Sequence, residues 1–220
     1  MVDHMGRRLK DIVLDPLLDH IPRWVHPNGV TLLSLLPGLA AALIASLGMW
    51  LWALLAFTLN RILDGLDGLI ARDRGLQSDF GGYMDIMIDF VVYAAIPIGV
   101  WIGVEAPLPA SSLGGEDLRL LSGTILPQAL PLIVLFAVFY VNAASWMYLS
   151  SLMEKRRAGS PSRNTSVEMP AGLVEGTETV LFYLLFLLLP SYYPLLFYLM
   201  AAATSVGVVQ RLRWAWKHLR

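Results

Sequence analysis

Four aspartates interrupt two neighbouring apolar stretches, Asp64 and Asp67 in the first and Asp85 and Asp89 in the second. An acidic side chain inside a membrane helix costs about 2.5–3.5 kcal/mol on the insertion scale, so four of them need a compensating gain. A bound cation is the obvious one. Spacings of three and four put each pair on one face of its helix. Four hard oxygen donors, with no histidine or cysteine nearby, favour Mg²⁺ or Mn²⁺. If they converge, they can hold two ions in the clamp used for in-line displacement at phosphorus. Two rivals must be weighed. The acids could merely pair with Arg61, Arg72 and Arg74, but four carboxylates exceed what those arginines require. They could instead mark an ion pathway in a transporter or cation-binding protein, which would spread them through the membrane depth.

The elements that position these residues follow from composition. Of 220 residues, 56% are apolar and only 15% charged, against about 25% charged in a soluble domain; mean hydropathy is +0.61. Six apolar stretches of near membrane-spanning length lie near Gly29 to Leu47, Met49 to Arg72, Ser78 to Val104, Pro127 to Met153, Gly172 to Leu189 and Tyr193 to Leu212. This predicts an all-α membrane protein with six transmembrane helices, the first two joined as a hairpin at Gly48. Counted from the far ends of the second and third stretches at 1.5 Å per residue, Asp64 and Asp67 lie about 24 and 28 Å in, and Asp89 and Asp85 about 22 and 28 Å. The pairs therefore meet at one depth, near one edge of the hydrocarbon core. Gly68, Gly81 and Gly82 leave room there for close helix approach and a ligand.

Basic residues fix an orientation. Arg7, Arg8, Lys10 and Arg23 precede the first stretch, Arg72 and Arg74 follow the second, Lys155, Arg156, Arg157 and Arg163 follow the fourth, and Arg211, Arg213, Lys217 and Arg220 close the chain; the opposite side holds only Arg119. Both termini and the aspartates are expected to face the cytoplasm of a prokaryotic membrane. Residues 5–24 alternate apolar and charged side chains at helical spacing, which predicts an amphipathic surface helix. Segments 105–123 and 156–170 read as loops. A net charge of −1 gives no support for nucleic-acid binding, and the lack of cysteine excludes disulfides and zinc–thiolate sites. No cleavable signal peptide is expected.

The run Asp64-Gly-Leu-Asp67-Gly68-Leu-Ile-Ala71-Arg72, followed at fixed spacing by Gly81, Asp85 and Asp89, resembles the signature of the CDP-alcohol phosphotransferase family. Pro27-Asn28-x-x-Thr31 and the six-stretch layout extend the resemblance over the whole chain as one domain, 1–220. It implies transfer of a phosphatidyl group from a CDP-linked lipid such as CDP-diacylglycerol to a small alcohol, releasing CMP. Asp64, Asp67 and Asp85 resemble the metal ligands. Asp89 lies close enough to share a metal, and also looks like the general base, the catalytic residue that deprotonates the acceptor. Gly68, Ala71, Arg72 and Gly81 resemble the residues shaping the CDP pocket, with Asn28 and Thr31 bordering the nucleotide. Family members are often homodimers, set among membrane lipids.

Other polar residues admit two readings each. Glu175 and Glu178 could contact an acceptor or serve as acids at a helix start. Arg156, Arg157 and Arg163 could bind a phosphorylated acceptor or only orient the chain. His4, His20, His26 and His218 are expected at the interface, with Tyr192, Tyr193, Trp214 and Trp216 as aromatic belts.

Overall fold

The computed structural model describes Leu18 and residues 20–105, 117–157 and 172–219, with the side chains of 117–126 left aside. Among the described residues the regular structure is helical throughout: α1 (Pro27–Ser46), α2 (Trp50–Asp73), α3 (Asp79–Glu105), α4 (Asp117–Arg157), α5 (Gly176–Leu188), a 3₁₀ turn (Pro190–Tyr192) and α6 (Tyr193–His218). Four of these segments are long and apolar enough to cross a membrane: α1, α3, residues Pro127–Arg156 of α4, and α6 with its preceding turn. Helix α2 has the length, at 24 residues, but carries Arg61, Asp64, Asp67, Arg72 and Asp73. Helix α5, with 13 residues, spans about 20 Å of a core about 30 Å thick.

The first three helices pack through small residues. Gly48, at φ 72°, turns the chain between α1 and α2, and Gly75, at φ 64°, turns it between α2 and α3; both conformations favour glycine. A β-carbon on Gly99 or Gly103 of α3 would overlap the carbonyls of Ala42 and Ala45 on α1. Helix axes come this close in membranes only where side chains are absent. Gly38 serves the same end: a β-carbon there would stand 2.5 Å from Val92 Cγ2 and 3.0 Å from Asn60 Nδ2.

Helices α5 and α6 join this triplet through aromatic rings. Phe57 of α2 meets Tyr183 of α5, which meets Phe186; Phe186 packs edge-on to Phe197 of α6, and Phe197 edge-on to Tyr193. All five are buried. Such ring pairs contribute about 0.5–1.5 kcal/mol each beyond area burial. Tyr193 therefore belongs to the core rather than to an exposed belt, its hydroxyl 2.7 Å from Glu105 Oε1 and 3.0 Å from the Gln128 carbonyl. Leucines 32, 33, 36, 39 and 43 of α1 are in contrast exposed, as expected of a helix face turned to lipid.

Several expectations change. Helix α4 begins at Asp117, so the loop expected over 105–123 is helical in its last part; Pro127 and Pro131 lie inside α4, whereas Pro127 reads in sequence as a helix start. Residues 106–116 and 158–171 lie outside the described residues. The surface helix expected over 5–24 also lies mostly outside them, but His20–Trp24 form turn and irregular backbone rather than helix. Pro22 lacks an N–H and disfavours helical geometry at Ile21.

Candidate active site

A cavity of about 260 Å³ opens where the start of α1, the end of α2 and the α2–α3 turn converge. Its α1 wall is Pro27, Asn28 and Thr31, and its α2 wall is Asp67, Gly68, Ala71 and Arg72; Leu76, Gln77, Ser78, Gly81, Gly82 and Asp85 close it. The volume falls just below the usual ligand-pocket range of about 300–1,000 Å³, enough for part of a head group rather than a whole lipid. All six residues expected to border the nucleotide, together with Asp67 and Asp85, line this one space. Ser78 and Gln77 join them; nothing in their spacing singles them out in the sequence.

Local structure explains the wall. His26 caps α1, its Nδ1 accepting from the Asn28 N–H at 3.2 Å. Thr31 donates its hydroxyl to the Pro27 carbonyl at 3.1 Å, within its own helix. Gly81 is tight: a β-carbon there would lie 3.0 Å from Asn28 Oδ1 and 3.1 Å from Ser78 Oγ. At Gly68 it would lie 3.2 Å from Arg72 Nη1. Arg74 leaves the acids alone and binds the chain before α1, donating to the carbonyls of Val25 at 2.7 Å and Ile21 at 3.0 Å.

The four aspartates share one region. Asp64 lies within hydrogen-bonding range of Asp85, and Asp67 and Asp89 also act on Asp85 electrostatically. Asp67 is only 5% exposed. Asp64 and Asp89 are not part of the cavity lining and approach Arg61 instead: its Nη2 lies 2.8 Å from Asp89 Oδ1 and its Nη1 3.7 Å from Asp64 Oδ2. The pairing reading of the acids thus holds for Arg61 and not for Arg74. As they stand, no three His, Cys, Asp or Glu side chains among the described residues are arranged to hold an ion. The donor chemistry nevertheless fits a hard divalent cation, since four carboxylate side chains share this region. Clustering at one end of the helices also argues against an ion path through the membrane.

Three of the polar residues with two readings make structural contacts. Glu175 and Glu178 form a reciprocal capping box at the start of α5, and Glu175 Oε1 also accepts from the Gly172 N–H at 2.9 Å. Arg156 donates to the carbonyls of His218 and Leu219 at 2.9 and 2.8 Å, tying α4 to the end of α6. Arg157 ends α4, and Arg163 lies outside the described residues. Trp214 stacks on His218 with ring centres 4.4 Å apart.

The model of the CDP-alcohol phosphatidyltransferase family matches residues 24–209, and the chain belongs to that family. Inner membrane protein YnjF of Escherichia coli strain K12 is 34% identical over 196 residues, covering 86% of this chain and 82% of that protein. Among solved structures, phosphatidylinositol phosphate synthase of Mycobacterium tuberculosis with CDP-DAG bound is similar in fold, with a TM-score of 0.59 at 21% identity over 95% of this chain and 94% of that one. The same protein with manganese and citrate gives a TM-score of 0.60 at 20% identity, over 94% and 88%. The chain is thus an integral membrane transferase of phospholipid biosynthesis.

Proposed function

We propose that this transferase moves a phosphatidyl group from CDP-diacylglycerol to a small alcohol, using the cavity between α1, α2 and α3 as its nucleotide site. The carrying observation is the gathering of Asn28, Thr31, Gly68, Ala71, Arg72 and Gly81 around one space beside Asp67 and Asp85. Relatives with CDP-DAG or manganese bound support both the donor and the use of a divalent cation.

Gly68 and Gly81 let the donor approach the backbone, and Arg72 supplies a planar, charge-assisted contact to phosphate. Asn28 offers an amide to the nucleotide, while Thr31, its hydroxyl held within α1, serves as wall. Asp64, Asp67 and Asp85, with Asp89 beside them, would hold two Mg²⁺ or Mn²⁺ ions, which when bound neutralise the pyrophosphate and stabilise charge on departing CMP. The acceptor oxygen attacks the lipid-side phosphorus, and a new P–O bond forms as the bond to the CMP oxygen breaks. Asp89 takes the hydroxyl proton. Six membrane crossings, a single domain over 1–220, cytoplasmic termini and active site, and a homodimeric assembly complete the reading.

The test is release of CMP from CDP-diacylglycerol by purified protein with Mg²⁺ or Mn²⁺, against a panel of glycerol phosphate, inositol phosphate, serine and other alcohols. Formation of one phospholipid product is the expected result. No CMP release with any acceptor would refute the reading.

A further inference from the structure

Arg61 lies midway along α2 and is largely buried, where a guanidinium needs partners for its charge. Its side chain is 12% exposed, and four groups hold it. Nε donates to Asn60 Oδ1 at 2.8 Å, Nη1 to the Tyr93 hydroxyl at 2.9 Å and Nη2 to Asp89 Oδ1 at 2.8 Å, while Asp64 stands 3.7 Å from Nη1. The guanidinium also lies over two rings, 5.6 Å from the Phe57 centroid and 5.1 Å from that of Tyr93.

The holders are themselves held. Asn60 is fully buried and donates from Nδ2 to the Ser34 carbonyl of α1 at 2.8 Å. The Tyr93 carbonyl accepts the Tyr183 hydroxyl of α5 at 2.5 Å. Contacts from α1, α2, α3 and α5 thus fix the orientation of one guanidinium, and that guanidinium grips one oxygen of Asp89. A need for charge balance alone would be met by any cation nearby. The fixed fork does more, because its planar donors set direction as well as charge.

We propose that Arg61 is a positioning residue that orients the Asp89 carboxylate for proton removal and offsets its charge, leaving metal binding chiefly to Asp64, Asp67 and Asp85. This rests on the transferase reading above. An arginine partner makes a carboxylate a weaker base. The gain is orientation, since a general base acts only within hydrogen-bond reach of its proton, and a misdirected carboxylate loses most of its effect.

The test compares wild type with Arg61→Met, Arg61→Lys and Tyr93→Phe in two arms. The first measures turnover with CDP-diacylglycerol and the acceptor giving the fastest wild-type rate. Arg61→Met should lower kcat by about 10²-fold or more, within the span of general-base catalysis, with KM for CDP-diacylglycerol changed less than about threefold. Arg61→Lys should fall between it and wild type, because an ammonium cannot hold Asn60, Tyr93 and Asp89 at once. Tyr93→Phe, which keeps the ring and removes only the hydroxyl, should lower kcat several-fold.

The second arm titrates Mn²⁺ into detergent-solubilised protein, read by electron paramagnetic resonance, and needs no acceptor. Arg61→Met should bind Mn²⁺ at least as tightly as wild type, since a cation has been removed beside the carboxylates, whereas Asp64→Asn should bind it more weakly. Wild-type kcat in Arg61→Met would overturn the proposal, as would weakened Mn²⁺ binding in that variant. Full activity in Arg61→Lys would reduce Arg61 to charge balance and also overturn it. If Arg61→Met does not insert, unchanged kcat in both Arg61→Lys and Tyr93→Phe does the same. Wild type inert toward CDP-diacylglycerol would sink the transferase reading and the base role with it, while the Mn²⁺ arm would still decide whether Arg61 belongs to the metal site.

Discussion

Gly81 at the start of α3 faces Asn28 of α1 so closely that a β-carbon on Gly81 would stand 3.0 Å from Asn28 Oδ1. The strain of an alanine there falls on two side chains at the cavity wall, the Asn28 amide and the Ser78 hydroxyl. Gly81→Ala should therefore leave folding intact and raise KM for CDP-diacylglycerol about three- to tenfold, up to about 1.4 kcal/mol. A double-mutant cycle with Asn28→Ala checks the cause. If the effect passes through Asn28, the two changes combine to less than their sum.

Activity should vanish with EDTA and return with Mg²⁺ or Mn²⁺. Asp67→Asn and Asp85→Asn should each lose at least about 10²-fold in rate while the protein still inserts. Protons compete with metal for carboxylates, so the Mn²⁺ concentration giving half-maximal rate should rise as pH falls. Rate measured against metal concentration at several pH values tests this, and full turnover in either asparagine variant would remove the metal assignment.

Much of the site was legible because intramembrane acids and glycines are conspicuous against leucine. Helices α2 and α3 lie within a residue of their expected bounds, since Gly48 marks the first turn and the apolar stretches on either side are long. Less was legible where one residue type serves two ends. Glu175 and Glu178 have the spacing of a ligand pair and also of a capping box, and only the fold shows the second. Arg61 and Arg74 are both basic residues near acids, yet one grips Asp89 and the other four backbone carbonyls; that choice depends on helix rotation, which spacing does not report. Pro127 looked like a helix start because proline is common there, although transmembrane helices also tolerate it internally.

Arg74 pins the segment before α1, with further contacts to the Pro22 and Arg23 carbonyls at 3.4 and 3.3 Å. Arg74→Ala should loosen that segment by about 1–2 kcal/mol, discounting charged hydrogen bonds for their partial exposure. Trypsin cleavage after Arg23 should then accelerate about tenfold, followed by mass spectrometry, because cleavage tracks the open population. An unchanged cleavage rate would show that the clamp contributes nothing.

Gly99→Ala should lower the thermal midpoint in detergent, by the equivalent of about 1–3 kcal/mol, because the new methyl meets the Ala42 carbonyl. Gly29→Ala, with nothing within 4 Å of its β-carbon, is the control and should unfold like wild type. Equal midpoints for the two variants would contradict the close α1–α3 crossing.

The basic-residue bias leads us to expect residues 105–123 outside and 156–170 inside. In intact cells a cysteine at Ser112 should label with an impermeant thiol reagent and one at Ser160 should not. The chain has no native cysteine, so labelling reports the introduced residue alone. The reverse pattern would put the aspartates on the other side of the membrane.

Among the described residues, those lining the cavity all fall between Pro27 and Asp85. A recombination event between related genes with its breakpoint anywhere after codon 85 would pass this wall on whole. Placed after Glu105, the breakpoint would also keep intact the α1–α3 seam at Gly99 and Gly103. The cavity wall can therefore be inherited as a block while the last three helices are replaced or drift. Chimeras joined between residues 106 and 116 inherit one parent's cavity wall entire, and the other parent's helices meet that parent's through residues, such as Phe57 and Tyr93, that pack on α5.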